Sequence, residues 1–241
     1  MYTNYMSKLY IVATPIGNLE DISFRALRIL KEVDLILCED TRVTKKLLNY
    51  YNINTPVESY HQHSNIKKIN YIIDLLKQGK NLALVSDSGT PGISDPGNKL
   101  VAYLIEKFPE IEIIPIPGTN AIATIASIAG FPMDKFVFMG FPPHKKKRKK
   151  FFEEIANSKY PVIIYESPYR ILKSLREIRG TYAEQSGTNA EPDIVVGKEL
   201  TKKFEKVYRG HIDKIIDQIE NDGTKGEYVV IVNNKRRTSA G

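Results

Sequence analysis

The sequence predicts an α/β protein whose first half is a parallel sheet flanked by helices and whose second half repeats that style less regularly. Three observations carry this reading. Residues 1–120 alternate short apolar, β-branched runs with amphipathic stretches over short connections. Gly/Pro-rich loops stand at the ends of three of those runs, where parallel sheets bind ligands. The regular alternation gives way near 117–132, the candidate domain boundary.

The elements follow in order. Residues 9–14 are apolar and β-branched, a buried strand broken by Pro15-Ile16-Gly17-Asn18. Asp21 is the expected cap of a helix carrying Leu27, Ile29, Leu30 and Val33. Residues 35–38 form the second strand and run into Glu39-Asp40, and Thr41 or Arg42 opens a helix through Leu47 and Leu48. Residues 57–60 are a short strand. Residues 66–77 place Ile69, Ile72, Ile73 and Leu76 on one helical face, and Gly79 stops that helix. Residues 81–87, 99–107 and 111–116 read as strand, helix and strand. Strands alternating with helices in this way require a parallel sheet with right-handed crossovers. Further along, 136–141, 161–165, 193–197 and 227–232 read as strands, and 169–178 and 211–220 as helices. Residues 205–209 are an edge strand or one arm of a hairpin. Residues 180–192 are polar and aperiodic, the pattern of a mobile surface loop, and the basic tail beyond Val232 is expected to fray.

Composition narrows the function classes. The chain has 241 residues, 42% hydrophobic and 26% charged, enough for one large core or two smaller ones. A single cysteine, Cys38, excludes an internal disulfide framework and a Cys-rich zinc module; it reads as a packing residue at a buried strand end. No stretch is long and apolar enough to span a bilayer, since 121–131 is short and carries Thr124 and Ser127. The N-terminus lacks a signal-peptide pattern, so a cytoplasmic location is expected. His61 and His63 share a face at i, i+2, but with no third ligand nearby no metal site is expected.

The charge is uneven. Residues 1–120 hold 13 basic and 13 acidic side chains, so the whole excess of seven lies in 121–241, with 22 against 15. Lys145, Lys146, Lys147, Arg148, Lys149 and Lys150 form one basic run. It suits a polyanionic partner bound in a salt-dependent way, or else it is simply a solvated turn and helix face.

The strongest local signal is the loop from Ser86 to Gly97, Ser-Asp-Ser-Gly-Thr-Pro-Gly-Ile-Ser-Asp-Pro-Gly. It is longer than an ordinary strand-to-helix connection. Its glycines admit a ligand close to the backbone, and Pro91 and Pro96 stiffen the path. Gly92 and Gly97 have the first spacing of a phosphate loop, but Asn98-Lys99-Leu100 follows instead of Gly-Lys-Ser/Thr. Asp87 and Asp95 flank the loop. Carboxylates repel a polyphosphate and suit hydroxyls or cations, so a ribose, ammonium or sulfonium ligand fits better.

That loop, with Ala-Thr-Pro-Ile-Gly-Asn-Leu (13–19), Glu-Asp-Thr-Arg (39–42), Tyr-Glu-Ser-Pro-Tyr-Arg (165–170) and Glu-Leu-Thr-Lys (199–202), resembles the 16S rRNA (cytidine-2′-O)-methyltransferase branch of the tetrapyrrole methylase family. The five motifs run in family order over nearly the whole chain. The sequence departs from the family at Pro117-Gly118-Thr119-Asn120-Ala121, where Pro-Gly-Pro-Ser-Ala is usual. It departs again at residues 61–65, where the family's His-x-His-Asn-Glu lacks its Glu, and it stops soon after its last strand.

The resemblance implies two α/β domains, 1–117 with a parallel sheet and the glycine-rich loop, and 118–241 with a mixed sheet and the basic segment. It implies S-adenosylmethionine in the cleft between them, a homodimer, and 16S rRNA or the small ribosomal subunit as partner. By motif match, Pro15, Gly89, Thr90, Ile93, Asn120, Ala121, Tyr165 and Leu200 are the expected cofactor contacts. The acceptor of the 2′-hydroxyl proton stays open among Asp87, Glu39, Asp40, Glu166 and a Lys198, Glu199, Lys202 cluster, in which a lysine would need a depressed pKa. No metal is required. Plainer roles also fit: residues 39–42 as a helix cap with an ion pair, Ser167 as a cap, and Lys198, Glu199 and Lys202 as edge-strand charges. Two rival functions share these residues. One is methylation of a tetrapyrrole precursor, which has no use for the basic run. The other is a non-catalytic RNA-binding or assembly protein, which has no use for the glycine loop.

Overall fold

The computed structural model describes residues 7–61, 66–95, 97–186 and 192–234. Expectations for His63, Pro96, residues 187–191 and the tail past 234 therefore lie outside the described residues. The chain divides into two compact units, Met1–Asn120 and Ala121–Gly241.

The first unit runs β1 (Lys8–Val12), α1 (Phe24–Glu32), β2 (Leu35–Cys38), α2 (Thr41–Tyr50), β3 (Val57–Ser59), α3 (Ile66–Lys77), β4 (Leu82–Val85), α4 (Asn98–Lys107) and β5 (Glu112–Ile116). The strands pair in the order β3-β2-β4-β1-β5, all parallel. Both faces of this sheet are covered. Leu9, Leu35, Leu37, Leu82 and Leu84 pack on one side with Ile72 and Leu76 of α3 and Leu100 and Leu104 of α4. Val12, Ile36, Cys38, Ala83 and Val85 pack on the other with Ala26, Ile29 and Leu30 of α1 and Leu48 of α2. Alternate residues of one strand thus enter different cores, which is why β2 and β4 are apolar at every position. The cap of α1 is Ser23, whose hydroxyl accepts from the Ala26 amide at 3.1 Å. Asp21, expected there, sits in a preceding 3₁₀ turn, Leu19–Asp21, capped by Asn18.

The second unit runs α5 (Ala121–Ser127), β6 (Val137–Phe138), α6 (Arg148–Ala156), β7 (Val162–Glu166), α7 (Ile171–Ser186), β8 (Asp193–Lys198), β9 (Lys206–Gly210), α8 (Ile212–Asp222) and β10 (Tyr228–Asn233). Its sheet has the order β6-β7-β10-β8-β9. Only the β6–β7 pair is parallel among the described strands, so the sheet is mixed. One face carries Val162, Ile164, Val196, Tyr208, Val230 and Val232 against Phe152 and Ile155 of α6, Ile171 and Leu175 of α7, and Ile215 and Ile219 of α8.

Three expectations need correction here. The strand expected at 136–141 is two residues long. The segment from 180 is helical through Ser186, because Thr181 donates to the Glu177 carbonyl at 2.8 Å and Tyr182 packs on the core and bonds to Asn234. One helix was not expected, the short α5; α6 opens inside the basic run, where a turn and helix face was one reading, and runs beyond it to bury Phe152 and Ile155.

Candidate functional site

In the first unit the three Gly/Pro-rich loops meet at the carboxyl ends of β4, β1 and β5. Thr14, two residues past β1, donates its amide to the Gly89 carbonyl at 2.9 Å and accepts from the Gly89 amide at 3.1 Å. Its hydroxyl donates to the Ser86 carbonyl at 3.1 Å. Thr119, in the loop after β5, donates its hydroxyl to the Thr14 carbonyl at 2.5 Å, and the Thr90 hydroxyl donates to the Thr119 carbonyl at 3.2 Å. Threonines therefore lace the three loops into one backbone surface. Two glycines make the close approach possible. Gly89 has φ +83°, and a Cβ on it would lie 3.3 Å from Ile16 Cγ2; a Cβ on Gly118 would lie 2.9 Å from the Ala13 Cβ. Of the cofactor candidates, Pro15 is buried, Thr90 and Asn120 are half-buried, and Ile93 is exposed beside this surface. Sequence reasoning missed Thr14 and Thr119, whose signal was a hydroxyl residue at a strand end.

Beside these loops, at the ends of β2 and β4, stand four carboxylates. Asp87 Oδ1 accepts the Asp40 amide at 3.0 Å, tying the end of β4 to the start of α2. Asp40 caps α2 and takes Arg42 in a two-pronged pair, with Nη2 to Oδ2 at 2.6 Å; this holds its carboxyl down at about 2. Glu39 goes the other way: burial, then the charges of Asp87 and Asp40, raise it, against a lowering by His61. Asp95 is raised to about 6, first by burial and then by Glu39 and Asp87, against a hydrogen bond with Ser86. The arrangement is a negative wall, half out of water, that a cation or a set of hydroxyls would relieve.

The other candidates lie in the second unit. Ala121 begins α5. The Tyr165 ring is half-buried between Phe138 and Phe141, with centroids at 4.9 and 5.5 Å. Leu200 is buried over Gly197, where a Cβ would lie 2.9 Å from it. Glu166 is enclosed by cations: Arg170 lies 3.1 Å from Oε1, Arg148 3.9 Å from Oε2, and the Ser174 hydroxyl donates to Oε2. Lys198 is buried, donating to the Gly223 carbonyl at the end of α8 with its Nζ 5.9 Å from the Tyr228 ring centroid. A cation suits that helix end. Glu199 has φ +51° and accepts from the Glu227 amide at 2.8 Å and from Lys202 at 2.9 Å. Burial pushes the Glu199 carboxyl up, but those two partners outweigh it and hold it below its ordinary value. Burial pulls Lys202 down, yet Glu227 and Glu199 outweigh it and raise it, the opposite of what a basic lysine requires.

The basic run divides in two. Lys145, Lys146, Lys147, Lys149 and Lys150 are exposed. Arg148 is 5% exposed and points inward, donating to Glu177 at 2.8 Å, to the Ser174 hydroxyl at 2.7 Å and to the Pro143 carbonyl at 2.9 Å.

Two α/β units, the first a parallel sheet whose strand-end loops are glycine-rich and bordered by acids and the second a mixed sheet, define a two-domain α/β protein. The sequence profile of the Tetrapyrrole (Corrin/Porphyrin) Methylases matches residues 8–216, and the chain belongs to that family. Among curated proteins it is 40% identical over 230 residues to "Ribosomal RNA small subunit methyltransferase I" of Thermotoga maritima, covering 95% of this chain and 100% of the relative. It is 44% identical over 230 residues to the protein of the same name from Bacillus subtilis, covering 94% of this chain and 75% of the relative. Among solved structures, a cobalamin biosynthetic enzyme, cobalt precorrin-4 methyltransferase, superposes with a TM-score of 0.69 at 18% identity, over 95% of each chain. That likeness concerns the fold. Among the described residues no helix is long and apolar enough to cross a membrane.

Proposed function

We propose that the protein is an S-adenosylmethionine-dependent methyltransferase that methylates the ribose 2′-oxygen of a cytidine in the 16S rRNA of the small ribosomal subunit, acting in the cytoplasm. The observation that carries the reading is identity of 40–44% across more than nine-tenths of the chain to relatives named for ribosomal RNA small subunit methylation. The five sequence motifs and the surface lysines agree with it.

The residues present fit the cofactor. Gly89 and Gly118 let the three loops close on one another at the strand ends, and the adjoining acids would match the ribose hydroxyls and positive groups of S-adenosylmethionine. When bound, the cofactor supplies a methyl group already activated by its sulfonium. The protein has to hold the attacking oxygen in line with it and accept the hydroxyl proton. Asp40 is a weak base while Arg42 holds it. Glu166 is matched by two arginines, and Glu199 and Lys202 neutralise each other. The proton acceptor is therefore sought among Glu39, Asp87 and Asp95, with Asp87 chiefly holding the cofactor.

The test is methyl transfer from labelled S-adenosylmethionine to small subunits and to free 16S rRNA from cells lacking the modification, with the product nucleotide mapped. Label on the 2′-oxygen of one cytidine is expected. Transfer to a tetrapyrrole precursor and not to RNA, or RNA binding without saturable S-adenosylmethionine binding, would overturn the proposal.

A further inference from the structure

The second unit exposes two large rings on adjoining segments. Phe141, just past β6, is 51% exposed, and Tyr169, in the turn before α7, is 93% exposed. Lone exposed rings are ordinary on a protein surface. These two are held in place together. The Phe141 ring leans on Tyr165 at 5.5 Å and 57°. The carbonyl of the next residue, Pro142, accepts from Arg170, the neighbour of Tyr169, at 3.2 Å. The carbonyl after that, Pro143, accepts from Arg148 at 2.9 Å. Arg170 pairs with the fully buried Glu166 at 3.1 Å, and Arg148 pairs with Glu177 at 2.7 Å and reaches Glu166 through the Ser174 hydroxyl. One polar network, Glu166, Ser174 and Glu177 with the two arginines, thus connects the Phe141 segment, the Tyr169 turn and the start of the lysine-bearing helix α6. The exposed lysines 145, 146, 147, 149 and 150 follow Phe141 within nine residues of the chain, and among them Lys149 has Glu184 at 3.6 Å.

We infer that Phe141 and Tyr169 form a stacking platform for unpaired bases of RNA, with the adjoining lysines gripping the phosphates. This rests on the RNA reading given above and adds that the bound segment is single-stranded. Positive charge beside exposed rings is the pattern that takes a strand whose bases are free to stack; a duplex keeps its bases stacked on one another and offers the rings nothing. The lysines argue for a polyanion over a second copy of this chain, because two copies would bring five exposed lysines against five more. The role of Arg148 follows: it presents the lysines beside the rings and does not itself touch phosphate.

The experiment measures binding of a fluorescent cytidine-containing single-stranded RNA, and of the same strand in a duplex, across a salt series. It uses wild type, Phe141→Ala, Tyr169→Ala, Tyr169→Phe and a variant with the five exposed lysines changed to Gln. Each alanine variant is expected to bind the single strand roughly 5- to 50-fold more weakly, the range of losing one base stack. The salt slope and duplex affinity should stay as in wild type, and Tyr169→Phe should keep wild-type affinity. The lysine variant should flatten the salt slope for both RNAs. Alanine variants that bind the single strand like wild type, or that lose single strand and duplex alike, would overturn the platform. So would a change of oligomeric state by light scattering with RNA affinity intact, which would give the patch to a second copy. If wild type binds RNA and the lysine variant alone loses it, the platform fails and the RNA function stands. If wild type neither binds nor methylates RNA, the underlying function fails with it.

Discussion

The two units treat carboxylates in opposite ways. In the second, Glu166 is wholly buried, yet Arg148, Arg170, Ser174 and its own neighbour's amide meet both of its oxygens. In the first, Glu39, Asp87 and Asp95 are only half-buried, yet they face one another and their acidities shift upward at Glu39 and Asp95. A buried charge matched within the fold fixes the structure. A group of like charges held together is tolerated where something from outside completes it.

The sharpest way to break this contrast is Glu166→Gln. It leaves Arg170 without its counter-charge, while Arg148 keeps Glu177 at 2.7 Å, and removing one partner of a buried pair costs about 3–5 kcal/mol. Urea unfolding should show a loss of that size. A loss below about 1 kcal/mol would mean that Glu166 is not the anchor of its unit.

Gly89→Val comes next. Gly89 sits at φ +83° with both backbone groups bonded to Thr14, and a β-branched residue there is strained by about 1–3 kcal/mol. A lower melting temperature and weaker S-adenosylmethionine binding by calorimetry are expected together. Unchanged affinity would move the cofactor away from the loop.

Asp87→Asn sharpens the comparison from the other side. The amide oxygen can still accept the Asp40 N–H, so the fold should hold, while the negative charge is gone. Donor affinity should fall about tenfold, the order of one charge-assisted hydrogen bond, with turnover partly recovered at high donor concentration. Normal donor binding with turnover down about 10²-fold or more would instead make Asp87 the proton acceptor.

How much of this could be read from sequence follows the same division. The parallel sheet was legible because every residue of β2 and β4 is apolar and a polar connection follows each, Glu39-Asp40 after β2 and the glycine-rich loop after β4. The carboxylates at those strand ends were legible for the same reason. What escaped depended on distant partners. Nothing local distinguishes Arg148 from the lysines around it; its inward course is set by Ser174 and Glu177, 26 and 29 residues on. Lys198 and Glu199 looked like free charges because their partners at Gly223 and Glu227 follow more than twenty residues later. The helix past Gly180 was hidden for the same reason, since Tyr182 is held by Asn234, 52 residues away.

The smallest expected effect is the most direct measure of the contrast. Asp95 has an ordinary value of 3.8 and is raised to about 6, by burial first and then by Glu39 and Asp87, with Ser86 working against them. The folded state therefore favours its neutral form. Below pH 3.8 both folded and unfolded chains carry the proton and nothing is lost; as pH climbs to about 6 the unfolded chain sheds it first, and stability falls. Asp95→Asn is neutral at every pH and should melt higher than wild type at pH 8, by about one or two degrees, since a half-buried group is partly screened. At pH 3.5 or so, the two should melt together. Saturating S-adenosylmethionine should shrink the difference at pH 8, because its positive groups would do for Asp95 what Arg148 and Arg170 do for Glu166. If the gap at pH 8 is absent without donor, Asp95 is already matched inside the fold; if it persists undiminished with donor bound, the cation lies elsewhere.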